Sequence, residues 1–185
     1  MDSLKLIPQV FFDIIGRVVP GAFAIMAALL LSNATWESWL SGTLGKVLAE
    51  SPTVSVLIFF AGAYVAGQLL SPLAKLVQRV GELRWFRPSP KADGYDWLRT
   101  HHPEAGTHCA KIRAEFTMHN GLAAVLLVSA AVYVLRGEAW RWSVLGVLML
   151  GALLAVVRGR TTRDTFNETV KKFAEAAGFV RSTAA

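Results

Sequence analysis

The chain has 185 residues, of which 54% are hydrophobic and 17% are charged. Soluble domains average about 25% charged residues, so this composition excludes an ordinary soluble fold and indicates apolar surface that faces lipid. The formal net charge is +6, which in a soluble protein would suggest nucleic acid, but basic segments beside membrane helices explain it more simply. We therefore expect no nucleic-acid partner. The single cysteine, Cys109, leaves no disulfide within the chain.

Four apolar runs define the fold class. A bilayer core needs about 20 apolar helical residues to cross it, and the runs cover residues 10–32, 53–73, 118–135 and 141–157. We predict an all-α, polytopic membrane protein with four transmembrane helices and helical cytoplasmic extensions, forming a single membrane domain.

The first run contains two charged residues, Asp13 and Arg17, four positions apart and therefore on one helical face. We predict that they form an intramembrane ion pair, with a gating pair in a water-filled interior as the alternative. Pro20 favours a kink in this helix. Ser32 and Ala34 bracket a small-x-small sequence that resembles a signal-peptidase site, and cleavage there would leave three spans.

The segments around the second run have helical patterns of their own. After the first span, Trp36 and Trp39 belong to a predicted amphipathic helix on the outer surface. The second run itself carries small residues that let another helix approach closely, and its helical pattern continues past Pro72. The predicted packing residues are Gly62, Ala63 and Gly67.

The loop over residues 74–117 and the tail are also predicted to contain helices. One helical turn is expected from Tyr95 to Arg99, and a helix starting near Thr107 is expected to run into the third span. The tail has a helix-start signal in Thr161 and Asp164, which predicts a separate amphipathic helix over residues 162–178.

Basic residues concentrate on one side of the predicted membrane. They are abundant in residues 74–117 and after residue 157, whereas the opposite connections carry only Lys46, Arg136 and Arg141. The positive-inside rule then places both termini in the cytoplasm of a bacterial-type inner membrane. The residues predicted to contact anionic lipid headgroups are Arg79, Arg84, Arg87, Arg158 and Arg160.

A polar stripe on the third helix is the sharpest local signal. His108, Glu115 and His119 are separated by offsets that nearly complete whole helical turns, so they share one face. They are candidates for a proton relay, a pH sensor or a divalent metal site, and a simple polar pair at the headgroup level is the alternative. His101, His102 and Cys109 add potential zinc ligands, but their spacing matches no usual zinc arrangement, so we expect no metal and no cofactor.

Arg113 and His119 also resemble the arginine–histidine signature of HEPN ribonucleases over seven residues. The resemblance implies RNA cleavage by residues from paired protomers. Ala114 stands where that signature usually has a polar residue.

The sequence contains no nucleophile elbow, phosphate-binding glycine loop or dinucleotide fingerprint. We therefore expect a noncatalytic protein of the inner membrane that self-associates into a homo-oligomer and forms a pore, a channel or a membrane-perturbing effector. The alternative is a membrane anchor or sensor that recruits a soluble cytoplasmic protein, including RNA-processing or phage-defence machinery.

Overall fold

The computed structural model describes residues 7–32, 51–82, 94–136 and 142–178. Within those residues the chain forms helices and no strands, so the predicted all-α class is confirmed. The helices are α1 (Ile7–Ser32), α2 (Pro52–Glu82), α3 (Tyr95–His101), α4 (Pro103–Leu135) and α5 (Trp142–Ala176).

Four of these helices, α1, α2, α4 and α5, are long and apolar enough to cross a membrane. Their exposed large side chains, such as Phe23, Leu69 and Val147, are apolar, as lipid-facing positions require. The chain therefore has the features of a multi-pass membrane protein. In α4, 44% of the most apolar segment is buried, compared with 11–17% in the other three, so α4 is the central helix.

Local sequence explains where α3 and α4 begin. Gly94 has φ 104°, in the left-handed region that glycine adopts without strain, and it immediately precedes α3. Pro103 opens α4 at a position where a helix needs no backbone N–H donor. The predicted turn from Tyr95 to Arg99 is thus a helix of seven residues.

Small residues bring α1 and α2 into backbone contact. A Cβ atom added at Gly21 would collide with the Ala63 carbonyl, and one added at Gly67 would collide with the Arg17 carbonyl. Lipid tails are as apolar as leucine, so membrane helices gain little from burying large apolar side chains and instead pack through close approach. The helices α1 and α2 run antiparallel, because Arg17 contacts Gly67 while Gly21, further along α1, contacts the earlier residue Ala63 of α2.

Close packing at glycine also joins α4 to its neighbours α1 and α5. A Cβ added at Gly121 would lie 2.6 Å from Cγ of Pro20, and one added at Gly159 would lie 2.8 Å from Oδ1 of Asn120. The helix α1 continues through Pro20, whose ring packs against the glycine of α4. These contacts place α1 on one side of α4 and α5 on another.

The fourth span and the tail form one helix, which differs from the predicted break near Thr161. The hydroxyl of Thr161 donates to the Val157 carbonyl at 3.1 Å, and that of Thr162 donates to the Arg158 carbonyl at 2.9 Å. Asp164 lies 4.0 Å from Arg160. The threonines thus bond to the preceding turn, and the capping signal is not used because no helix begins there.

We call the end of the bundle that carries Arg79, Arg158 and Arg160 the basic end. There, α3 packs with residues 103–117 of α4 and residues 161–176 of α5, and we call these three segments the cap. The cap core consists of Tyr95, Leu98, Cys109, Val170 and Ala174. Burial raises the pKa of the Cys109 thiol to about 11, so it stays protonated at neutral pH.

The predicted outer amphipathic helix with Trp36 and Trp39 lies outside the described residues. Residues 83–93, which follow α2, also lie outside them.

Candidate functional site

The main concave surface of interest is a cleft at the basic end, with a volume of about 660 Å³. Residues from all five helices line it, because α1 and α2 form one wall and the cap forms the other. Four basic side chains and one carboxylate contribute to the lining. We call this surface the basic cleft, and its charged residues are Arg17, Lys75, Asp96, Arg113 and Arg163.

Arg17 is held at the cleft by contacts across the α1 and α2 interface. Its Nη1 donates to the hydroxyl of Tyr64 at 3.4 Å, and Gln68 Nε2 donates to the same oxygen at 2.9 Å. The guanidinium therefore points toward α2 rather than along α1 toward Asp13, and no ion pair with Asp13 occurs among the described residues. Its partner is a hydroxyl rather than a carboxylate.

Arg113 is placed by an aromatic cluster in the cap. Its guanidinium carbon lies 5.2 Å from the centre of the Tyr95 ring, a cation–π distance. The Tyr95 ring packs edge-on against Phe166 at 5.3 Å, and Phe166 packs against Phe116 at 5.7 Å. Burial raises the pKa of Tyr95, against the opposing effect of nearby arginines, so the ring offers Arg113 a neutral face.

The deep end of the basic cleft meets close helix packing and an adjoining apolar cavity. Pro20 and Gly121 line it where α1 meets α4. Leu70 lines both the basic cleft and a second cavity of about 300 Å³ that runs toward the opposite end between α1 and α4. That second cavity, which we call the apolar groove, is lined mainly by Ala24, Ala27, Ala28, Leu31, Val125, Val128 and Val132, and its polar lining residues are Ser32, Ser129 and Arg136.

The predicted stripe of His108, Glu115 and His119 does not form one site. His108 is exposed and lies edge-on to Phe173 at 5.9 Å, whereas a Cβ added at Gly159 would lie 3.3 Å from the His119 Cβ. Eleven residues of helix separate the two histidines by about 16 Å. The stripe exists on the surface of α4, but its ends face different neighbours.

The other predicted zinc ligands also remain apart. His101 stacks on Trp97 at 4.9 Å, and His101, His102 and His108 border a separate hollow of about 560 Å³. Cys109 points into the cap core instead. Among the described residues, no three histidine, cysteine, aspartate or glutamate side chains are grouped so that they could hold a metal ion.

The two residues that resemble the HEPN signature diverge from each other. The helix α4 is unbroken from Arg113 to His119. Arg113 faces the basic cleft, while His119 lies beside Gly159. A single copy therefore does not bring the arginine and the histidine to a common point.

The residues predicted to contact lipid headgroups have mixed surroundings. Arg79 and Arg158 are exposed near the basic end, and Arg160 is half-buried beside Asp164. Arg84 and Arg87 lie outside the described residues.

The residues predicted to pack helices together contact α1 of the same chain. Ala63 is fully buried and Gly67 is buried, both at the α1 interface. A Cβ added at Gly62 would lie 3.7 Å from Cδ1 of Ile25, an ordinary contact distance.

Sequence reasoning missed the basic cleft itself. Lys75 and Arg163 entered only as part of the basic loop and tail, and Arg113 was otherwise considered only with His119. Nothing in the spacing of the three residues shows that α2, α4 and α5 bring them together. Arg17 carried a usable signal, because an arginine inside a span marks a functional surface by default.

No family model, curated protein or solved structure matches this chain. Function therefore has to be inferred from the residues of the site.

Proposed function

We propose that this protein is a noncatalytic membrane anchor and sensor that binds its ligand or partner at the basic end. By the positive-inside rule that end faces the cytoplasm of a bacterial-type inner membrane, with both termini on the same side. The observation that carries the proposal is the basic cleft, a charged cavity lined by residues of all five helices.

The change from polar to apolar lining favours binding over conduction. The polar lining of the cleft reaches Asn120, where Pro20 packs on Gly121, and the adjoining apolar groove is lined mainly by alanine, valine and leucine. An ion leaving the cleft toward the opposite end would lose its polar partners, which is costly in a low-dielectric interior. A single copy is therefore suited to hold a charged ligand rather than to pass one.

Self-association into a pore was the first expectation, and it has less support. The small residues that would join two copies, Ala63 and Gly67, already pack against α1 of the same chain. A pore would need a water path formed between copies by other faces.

The cap supports the anchoring part of the proposal. Its core of Leu98, Cys109 and Val170 is fully buried, so the cap is an ordered structure rather than a loop. Such a structure can present a fixed surface to a soluble partner, and the basic cleft lies beside it.

One-sided water access to the cleft is the property to test. In a Cys109→Ala background, single cysteines are placed at Thr117 in the cleft and at Ser129 in the apolar groove, and each is treated with a membrane-impermeant maleimide. The reagent is applied separately to inverted vesicles and to spheroplasts. We expect Thr117→Cys to react only in inverted vesicles and Ser129→Cys to react in neither.

Thr165→Cys, an exposed position of the cap, serves as the control that reports orientation. Reaction of Ser129→Cys from the same side as Thr117→Cys would demonstrate a continuous water path and would replace the sensor proposal with the pore. Reaction of Thr117→Cys in spheroplasts alone would reverse the proposed orientation.

A further inference from the structure

The basic cleft and the apolar groove adjoin each other at one residue. Leu70 lines both, so a charged cavity opens next to an apolar one along the axis of the bundle. The charged cavity lies at the basic end and the apolar cavity lies toward the middle and the opposite end of the spans. Polarity thus changes in the same direction as it does within one leaflet of a bilayer.

The basic cleft has the charge of an anion site. Arg17, Lys75 and Arg113 have no carboxylate within ion-pair distance among the described residues. Asp96 is the one acidic residue in the lining, and Asp13 lies close enough to act on Tyr95 electrostatically. Basic side chains that share a cleft with low-dielectric walls repel each other, and a bound anion relieves that repulsion.

The chemistry of the basic side chains selects a phosphate group. Guanidinium groups donate several hydrogen bonds in a plane and match phosphate oxygens, while lysine supplies a point charge. The polar uncharged residues Thr117 and Asn120 also line the cleft. The Thr117 hydroxyl donates to the Arg113 carbonyl at 2.9 Å, so Asn120 is the one of the two whose side chain can donate to a remaining oxygen. At about 660 Å³ the cleft is large enough for a headgroup and its first shell of water.

The apolar groove favours a phosphate that carries an acyl chain over a free phosphate. Its lining between α1 and α4 is mainly alanine, valine and leucine, and it shares Leu70 with the cleft. An extended acyl chain attached to a phosphate in the cleft would pass the Leu70 side chain and lie in the groove. The order of headgroup and chain then agrees with a lipid of the leaflet at the basic end.

We infer that the cleft and groove together form a binding site for one anionic phospholipid, with its phosphate among Arg17, Lys75 and Arg113 and one acyl chain in the apolar groove. This inference rests on the proposed function, since it names the ligand of the same cleft. It differs from the general attraction of exposed arginines such as Arg79 and Arg158 to a charged membrane surface, because it requires a specific cavity.

The test measures binding of short-chain lipids to the full chain purified in a neutral maltoside detergent, by microscale thermophoresis. Three probes are compared: phosphatidylglycerol, phosphatidylcholine with the same chains, and glycerol 1-phosphate without chains. We expect phosphatidylglycerol to bind most tightly. Arg113→Gln and Lys75→Gln should each weaken it about fivefold, the effect of one basic residue near an anionic headgroup.

Two control variants separate the site from general effects. Arg79→Gln removes the same charge at an exposed position of α2 that does not line the cleft, and it should leave binding unchanged. Ala28→Leu fills part of the apolar groove, whereas Ala61→Leu adds the same bulk at an exposed position of α2. Only Ala28→Leu should weaken phosphatidylglycerol, and circular dichroism verifies that each variant is folded.

Equal binding of phosphatidylglycerol and phosphatidylcholine would overturn the inference, as would an equal loss in Arg79→Gln and Arg113→Gln. Lys75 is exposed, so Lys75→Gln gives a readable result even if Arg113→Gln fails to fold. If glycerol 1-phosphate binds as tightly as the lipid and Ala28→Leu has no effect, the inference of a lipid ligand is overturned. The cleft would then be a site for a water-soluble phosphate. If no phosphate probe binds while Thr117→Cys still reacts from one side only, the phospholipid inference is overturned. The proposed function of the basic cleft would be unaffected.

Discussion

The interface between α1 and α2 and the core of the cap are built from opposite kinds of residues. The first uses Gly21, Ala63 and Gly67, which let two backbones touch, whereas the second buries Leu98 and Val170 among aromatic rings. In water, burying large apolar side chains drives folding, but in lipid it gains little because the surrounding chains are equally apolar. The change of packing along the bundle therefore indicates where the surroundings change from lipid to water.

The largest effect is expected where a side chain would enter the backbone contact in the membrane. Gly21→Val places new atoms against the Ala63 carbonyl, and rigid backbone has no means of yielding, so we expect a loss of more than about 3 kcal/mol. This loss in the free energy of unfolding is measured in mixed detergent micelles with increasing sodium dodecyl sulphate. Gly146→Val is the matched control, since no atom lies within 4 Å of a Cβ added there, and equal losses in both variants would refute the packing account.

A smaller effect is expected in the cap. Leu98→Ala leaves a cavity in a fully buried position and should cost about 3 kcal/mol locally. Limited proteolysis should then cleave α3 faster while the spans stay protected. Leu153→Ala truncates the same side chain at a position that is 59% exposed to lipid, and it should change neither readout. Loss of span protection in Leu98→Ala would mean that the two regions do not fold separately.

The smallest effect is expected from a polar contact inside the membrane region. Tyr64→Phe removes the hydroxyl that accepts from Arg17 and Gln68, and interhelical hydrogen bonds in membranes contribute on average about 0.6 kcal/mol. Tyr133→Phe is the comparison, because the buried Tyr133 hydroxyl has no partner among the described residues. We expect Tyr64→Phe to lower stability to detergent unfolding and Tyr133→Phe to leave it unchanged or raise it, and the reverse order would contradict the assigned network.

The sequence predicted where the helices lie along the chain but not which residues of different helices contact each other. Apolar runs predicted the four long helices, and the helical pattern from about Thr107 predicted the continuation of α4 into the cap, because those signals are local. The predicted break before Thr161 was wrong, since a capping pair resembles a helix start whether or not the chain bends there. Threonine hydroxyls that bond back to the preceding turn leave no trace in the sequence.

The candidate site shows the same limit. Arg17 could be singled out because a charge inside an apolar run needs an explanation. Lys75, Arg113 and Arg163 could not be assigned to a common site, since they come from three helices separated by long stretches of chain. The stripe of His108, Glu115 and His119 was correctly placed on one helix, but periodicity along a helix does not say which neighbours face it.

The unbroken helix α5 has a mechanical consequence. Its 35 residues make a rod of about 52 Å at 1.5 Å per residue, with its apolar half among lipids and its other half carrying Val170 in the cap core and Arg163 in the basic cleft. A rod has one tilt, so any change of bilayer thickness that reorients the apolar half also displaces Arg163. We therefore expect the width of the cleft to change with the thickness of the membrane.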